Sequence, residues 1–153
     1  MYGKILIPLD GSEPSKNALT HAIGIAEKFN SQLTLLAVVP RVMIPVFPDE
    51  GFGAAPVTAA KDMARYQDRM KEIYENVLAE AKAKLSSEHP DLKVETMLRE
   101  GRPSATIVDL SENDGVDLIV MGSRGIGGIT GWILGSTSHQ VVDSCTKPIL
   151  IVK

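Results

Sequence analysis

Short apolar runs alternate along this chain with segments of helical periodicity, and no other feature constrains the fold as strongly. Two of the runs are Lys4 to Asp10 (KILIPLD) and Leu33 to Pro40 (LTLLAVVP). Runs of this length, bounded by polar or turn residues, are typical of strands that are buried on both faces. Between them, apolar residues recur at helical spacing behind Ser12, a residue suited to capping a helix with Pro14 in its first turn. The first part of the chain therefore predicts a strand, a helix and a second strand.

The same order continues to the end of the chain. Apolar residues at helical spacing from Met63 to Leu85 predict a helix of about six turns. Three further strands and two further helices are predicted: strands at Val94 to Leu98, Asp117 to Met121 (DLIVM) and Pro148 to Lys153 (PILIVK), and helices from Gly101 and over Ser136 to Ser144. This alternation predicts one α/β domain over residues 1–153, a doubly wound sandwich in which about four helices flank a five-stranded parallel sheet.

Residues 40 to 58 interrupt the pattern. The segment reads PRVMIPVFPDEGFGAAPVT, and its prolines and glycines break any long periodicity. We predict a long flexible loop here, longer than the connections that compact domains usually carry.

Composition limits the partners and the environment that we expect. The chain has 153 residues and a formal net charge of −3, and its basic residues form no long run, so nucleic acid is not expected as a partner. No apolar run approaches the roughly 20 residues of a membrane helix, so no membrane association is expected. The single cysteine, Cys145, excludes an internal disulfide, and we expect a cytoplasmic protein.

A glycine-rich segment from Gly122 to Ser138 follows one predicted strand and leads into a predicted helix, the place where phosphates bind in open α/β sheets. Gly122 and Gly125 lie directly past the strand, where the missing Cβ allows positive φ and a close approach of the backbone to a ligand. After Gly135, the residues from Ser136 to Ser138 supply hydroxyls and unpaired amides at a helix start. The alternative is that these glycines only form tight turns and Ser136 only caps the helix.

The spacing of these glycines is specific. Two residues separate Gly122 from Gly125, and nine residues separate Gly125 from the pair Gly135-Ser136. With the blocks KILIPLDGSEPS, EGRPSATIV and KPILIVK, this spacing resembles the universal stress protein family and its nucleotide-binding motif over nearly the whole chain apart from the 40–58 loop. The resemblance implies a Rossmann-like fold, like that of the adenine nucleotide α-hydrolases, that binds ATP, or ADP or AMP in its place.

The resemblance also implies the residues of the site. The end of the first strand would face the ribose and phosphates, Val38 would contact adenine through its backbone, and the segment after Met121 and the helix start would border the phosphates. All of these positions lie at the carboxyl end of a predicted strand or at a helix start reached from one, so they converge on one edge of the sheet. The implied set is Pro8, Leu9, Asp10, Val38, Met121, Gly122, Arg124, Gly125, Gly135, Ser136, Thr137 and Ser138.

Asp10 has the wrong charge for direct contact with phosphates. Its carboxylate would repel a polyphosphate unless a ribose hydroxyl or a divalent cation stands between them, and Mg²⁺ or Mn²⁺, which keeps several waters, suits that place. The alternative is a turn or capping acid before Gly11 and Ser12. For Arg124 we expect a place beside the phosphates, with a solvated surface position as the alternative.

The residues favour nucleotide binding over catalysis. A P-loop NTPase needs GxxxxGK[ST], and the segment from Met121 to Ser138 has no lysine to reach the β- and γ-phosphates, so fast hydrolysis is not expected and no catalytic residue is assigned. We expect an ATP-binding universal stress protein that regulates a stress response, its nucleotide altering a flap at residues 127–131 and the 40–58 loop. The alternatives are a slow ATPase or phosphotransferase, and a structural dimer with a vestigial site.

Assembly is expected through residues 148–152. This last strand is short and apolar, and at the edge of a sheet its unpaired N–H and C=O groups would seek a partner strand. The resemblance likewise implies a homodimer through this strand.

Overall fold

The computed structural model describes residues 1–43, 55–126 and 134–153, and for residues 55–58 it describes the backbone alone. Its elements are β1 (Lys4–Pro8), α1 (Glu13–Phe29), β2 (Gln32–Pro40), α2 (Ala55–Glu88), β3 (Lys93–Gly101), α3 (Pro103–Asn113), β4 (Leu118–Gly122), α4 (Ser136–Ser144) and β5 (Ile149–Val152). The strands form one sheet in the order β3-β2-β1-β4-β5, and every pairing is parallel. The predicted α/β fold, with five parallel strands and four helices among the described residues, is confirmed.

The sheet is buried most deeply in its centre. β4 is buried along its whole length, and seven consecutive residues of β2 are buried. These are two of the continuous apolar runs of the sequence, which place one set of side chains against each layer of helices. The edge strands β3 and β5 are only partly buried, because each has a neighbouring strand on one side only.

Alternate residues of the strands enter two separate cores. Ile5 and Ile7 of β1 pack with α1 and α2, whereas Leu6 between them packs with α3 and α4. α1 presents small buried residues at every fourth position, Ala18, Ala22 and Ala26, which allow its backbone to lie close to the sheet.

The start of α1 follows the predicted capping. The Ser12 hydroxyl accepts a hydrogen bond from the Ser15 amide, and Pro14 lies in the first turn. Asn30 ends the helix in the left-handed conformation, at φ 53°. The capping role predicted for Ser12 is confirmed.

The predicted loop over residues 40–58 is too long at both ends. Pro40 belongs to β2, and α2 begins at Ala55, well before the periodic residues that start at Met63. Pro56 explains the error, because a proline in the first turn of a helix has no intrahelical acceptor to lose and does not break it. Residues 44–54 lie outside the described part of the chain. Among the described helices, none is long and apolar enough to cross a membrane.

Candidate functional site

A cavity of about 360 Å³ opens at the carboxyl edge of the sheet. Strand ends of β1, β2 and β4 form its floor, and the first turns of α3 and α4 and one turn of α2 complete its walls. It is lined by every residue that the sequence implied for the nucleotide: Pro8, Leu9, Asp10, Val38, Met121, Gly122, Arg124, Gly125, Gly135, Ser136, Thr137 and Ser138. The structure thus brings these residues together, while their contact with a nucleotide stays a prediction.

Further residues line the cavity that the sequence analysis did not single out: Ser15, Leu36, Pro40, Tyr74, Pro103, Ile107 and Ile126. Two of them had a signal in the sequence. Leu36 lies two residues before Val38 on the same strand and therefore on the same face. Ile107 lies one turn after Pro103, where a helix begins beyond a strand end. Tyr74 had no such signal, because it lies in the middle of a long helix.

One side of the cavity is apolar. Leu36, Val38, Ile107 and Met121 belong to the core between the sheet and α3 and α4, and all four are at least nine-tenths buried. An apolar wall of this kind excludes water and suits a flat, weakly polar ring, while few polar groups around it fix the orientation of a ligand.

The motif glycines serve close packing. At Gly122 an added Cβ would lie 2.7 Å from the Pro14 carbonyl carbon and 2.9 Å from the Ser15 amide nitrogen. At Gly125 it would lie 2.6 Å from an Asp10 carboxylate oxygen. Neither glycine has the positive φ that we expected, so that prediction is wrong. The missing Cβ instead allows α1 to pack against the end of β4.

Asp10 fastens two segments at the floor of the cavity. Its Oδ1 accepts hydrogen bonds from the Ser12 amide at 2.9 Å and the Ser12 hydroxyl at 2.5 Å. Its Oδ2 accepts from the Ile126 amide at 3.2 Å. The turn-forming role considered as the alternative is therefore present, and the same carboxylate also holds the start of the glycine-rich segment near β1. Its oxygens retain lone pairs for a further donor or a hydrated cation.

The first turn of α4 has no side-chain cap. Its N-cap is Gly135, with φ −62°, and Ser136 is the first helical residue, so the alternative in which Ser136 only caps the helix is wrong. The Gly135 amide donates to the Ser123 carbonyl at 2.7 Å. The hydroxyl of buried Ser138 donates to the same carbonyl at 2.8 Å. Since that hydroxyl holds α4 against the end of β4, the groups that remain for a ligand are the first-turn amides and the hydroxyls of Ser136 and Thr137.

Arg124 and Tyr74 are two further polar side chains of the cavity lining. Arg124 is half-buried, and its Cα would lie 3.2 Å from a Cβ added at Gly135, which places it directly beside the start of α4. Tyr74 lies on the opposite side with only 9% of its surface exposed. Burial raises the pKa of the Tyr74 phenol, and the charges of Asp10 and then Tyr66 raise it further.

The histidines and Cys145 lie outside the cavity lining. His89 is paired with Glu27 at 2.7 Å. His139 is paired with Asp143. Within residues 1–43, 55–126 and 134–153, no three His, Cys, Asp or Glu residues are grouped as a metal site. The flap expected at residues 127–131 lies outside the described residues, as does Trp132.

Comparison with known proteins gives a consistent result. The universal stress protein family profile matches residues 1–153. Universal stress protein MJ0531 of Methanocaldococcus jannaschii is 34% identical over 153 residues, which cover 100% of this chain and 83% of that protein. Universal stress protein YxiE of Bacillus subtilis is 31% identical and is covered completely, as is this chain.

Solved structures share the architecture. Protein MJ0577 of M. jannaschii superposes with a TM-score of 0.79 at 28% identity, covering 100% of this chain and 96% of the other. A universal stress protein in complex with cAMP gives 0.67 at 22% identity, with 99% and 97% covered. A universal stress protein from Archaeoglobus fulgidus in complex with dAMP gives 0.62 at 19% identity, with 99% and 98% covered. At these last two identities the likeness shows the fold alone.

Proposed function

The chain belongs to the universal stress protein family, and from this premise we propose that it binds an adenine nucleotide, with ATP as the first choice, and acts as a nucleotide-dependent regulator in a stress response. The observation that carries the proposal is the pairing, in one cavity, of an apolar wall with the uncapped first turn of α4. The first suits adenine and the second suits phosphate. Two structural neighbours of the same fold hold adenine nucleotides, cAMP and dAMP, which supports this choice of ligand.

The phosphate part of the proposal rests on helix geometry. The amides at the start of α4 have no intrahelical acceptor, and the helix dipole places partial positive charge there. No acidic residue lies in this turn. Arg124 beside the turn adds a full positive charge, so the region offers an anion several donors at once.

For a cation we propose an indirect role. Asp10 already accepts hydrogen bonds from Ser12 and Ile126, so a Mg²⁺ or Mn²⁺ ion would be held through water and phosphate oxygens with at most one bond to this carboxylate. Such an ion would relieve the repulsion between Asp10 and the phosphates.

We propose holding of the nucleotide rather than rapid hydrolysis, because the glycine-rich segment has no lysine. We also propose a cytoplasmic homodimer of single-domain chains, formed through β5. That strand lies at the edge of the sheet and leaves Leu150 partly exposed, so a second copy would cover it. Light scattering at micromolar concentration is expected to give twice the chain mass, and a monomer mass contradicts this part.

Isothermal titration with ATP and Mg²⁺ tests the main proposal, and Ser136→Glu sharpens it. Ser136 is exposed in the first turn of α4, where a carboxylate stabilises the helix but repels phosphate. We expect ATP affinity to fall by about tenfold or more while the melting temperature is kept or raised. Ser136→Gln, of equal size without the charge, is the matched control and should bind nearly as the unmodified protein does. Absence of ATP binding by the unmodified protein overturns the proposal.

A further inference from the structure

Tyr74 occupies an unusual place in the cavity. Of the described lining residues it is the only one on α2, the long helix that packs over β2 and β3. Its ring belongs to the buried core with Leu9 and Leu78, and only 9% of the residue is exposed. One turn further along α2, Val77 lies 3.2 Å from the position of a Cβ at Gly11, so this part of the helix is set against the turn that follows β1.

The hydroxyl of Tyr74 has no hydrogen-bond partner among residues 1–43, 55–126 and 134–153. A tyrosine hydroxyl in a buried residue usually finds one. It is not sealed in the core, because the residue lines the cavity. A group with these properties is free to bond a ligand.

Tyr74 and Asp10 line the same cavity, so a ligand in it meets the phenol and the carboxylate together. Burial, followed by the charge of Asp10, raises the pKa of Tyr74, so the phenol keeps its proton at neutral pH. The hydroxyl is therefore a donor. Its acceptor on a ligand has to tolerate the neighbouring carboxylate, which a phosphate does poorly. A ribose hydroxyl does this well, because it accepts from the phenol and donates to Asp10.

We propose that the Tyr74 hydroxyl donates a hydrogen bond to a ribose hydroxyl of the bound nucleotide, beside Asp10, and thereby makes α2 part of the binding site. This inference rests on the proposed adenine-nucleotide function. It assigns a sugar-recognition role to a residue outside the glycine motif, and it links occupancy of the cavity to the helix that begins at Ala55.

Titration of ATP, ADP, AMP, 2′-deoxy-ATP and 3′-deoxy-ATP into the unmodified protein, Tyr74→Phe and Tyr66→Phe tests this. Phenylalanine keeps the buried ring, and Tyr66, about two turns earlier and 51% exposed, is the matched control. Tyr74→Phe should bind ATP, ADP and AMP about three- to tenfold more weakly, the loss expected for one neutral hydrogen bond. With the analogue that lacks the contacted hydroxyl, Tyr74→Phe and the unmodified protein should bind equally, and Tyr66→Phe should match the unmodified protein throughout.

Two results overturn the ribose contact. One is equal ATP affinity of Tyr74→Phe and the unmodified protein at unchanged melting temperature. The other is a loss that shrinks from ATP to AMP, which would place the hydroxyl on the phosphates. If the unmodified protein binds no adenine nucleotide, the proposed function itself fails. The titration of the unmodified protein alone gives that result, so it is distinct from a failure of the ribose contact.

Discussion

Two helices begin beside the same cavity, and their first turns are built in opposite ways. α1 is closed by its own chain: the Ser12 hydroxyl accepts from the Ser15 amide, and Glu13 places an acid in the first turn. α4 has Gly135 as its N-cap, with neither a capping side chain nor an acid in its first turn. A helix start that satisfies its own amides has little to offer an anion, whereas an uncapped one leaves its amides available as donors.

The two starts are nevertheless packed as one unit. Gly122 at the end of β4 lies against Pro14 of α1, and the next residue, Ser123, supplies the carbonyl that Ser138 of α4 binds. The closed helix therefore acts as a support for the segment that leads to the open one. Damage to α1 should appear as lost stability, and damage to α4 as lost ligand binding.

The largest effect is expected from Gly122→Val. Its Cβ would lie 2.7 Å from the Pro14 backbone, so the start of α1 has to move, and we expect a loss of about 2 to 3 kcal/mol in the free energy of unfolding. Urea denaturation measures this. Gly24→Ala in α1 is the control, because nothing lies within 4 Å of a Cβ added there. It should raise the free energy of unfolding by about 0.5 to 1 kcal/mol. A neutral Gly122→Val would show that the contact does not constrain this glycine.

The second-largest effect is expected from removing the side-chain cap of α1. Ser12→Ala removes the cap of α1 and the hydroxyl that donates to Asp10, which should cost about 1 kcal/mol of unfolding free energy. Thr20→Ala, an exposed position in the middle of α1, serves as the control and should change stability by at most about 0.5 kcal/mol. Equal effects of the two substitutions in thermal or urea unfolding would contradict the distinction between the capped and uncapped starts.

How far the sequence predicts this arrangement depends on whether a feature is local. The strands follow from continuous apolar runs, and since strand ends share one edge of a parallel sheet, the residues placed there by the sequence do line one cavity. Gly122 shows the limit: its position was predicted, but the reason for the glycine is contact with Pro14, far away in the chain. Tyr74 lies within the periodic segment from Met63 to Leu85, but periodicity assigns a face of the helix and not the turn of α2 that reaches the cavity. The sequence predicts too late a start for α2, because Pro56 stands among the prolines that break the periodicity of residues 40–58.

The smallest effect is expected at the C-terminal end of α4. Unlike the uncapped start, this end is followed by a residue that is hydrogen-bonded to a side chain of α3. Exposed Glu112 of α3 accepts from the Thr146 amide at 2.8 Å and from the Thr146 hydroxyl at 2.7 Å, just after the helix ends. First the amide bond and then the hydroxyl bond lower the pKa of Glu112 from its ordinary 4.5. A carboxyl with a lowered pKa in the folded state stabilises the fold above its unfolded value, and that contribution is lost as the pH falls through the folded value.

We therefore expect Glu112→Gln to be less stable than the unmodified protein at pH 7, with the difference shrinking as the pH is lowered below about 4.5, the ordinary carboxyl value. Urea midpoints at a series of pH values measure this difference. Glu80→Gln, at an exposed acid of α2, should follow the unmodified protein at each pH and so controls for the loss of one negative charge. If the Glu112→Gln difference stays constant down to pH 3, the Thr146 contacts do not depend on the carboxylate. The position of the acceptor oxygen, and not its charge, would then set what the Thr146 contacts add to stability.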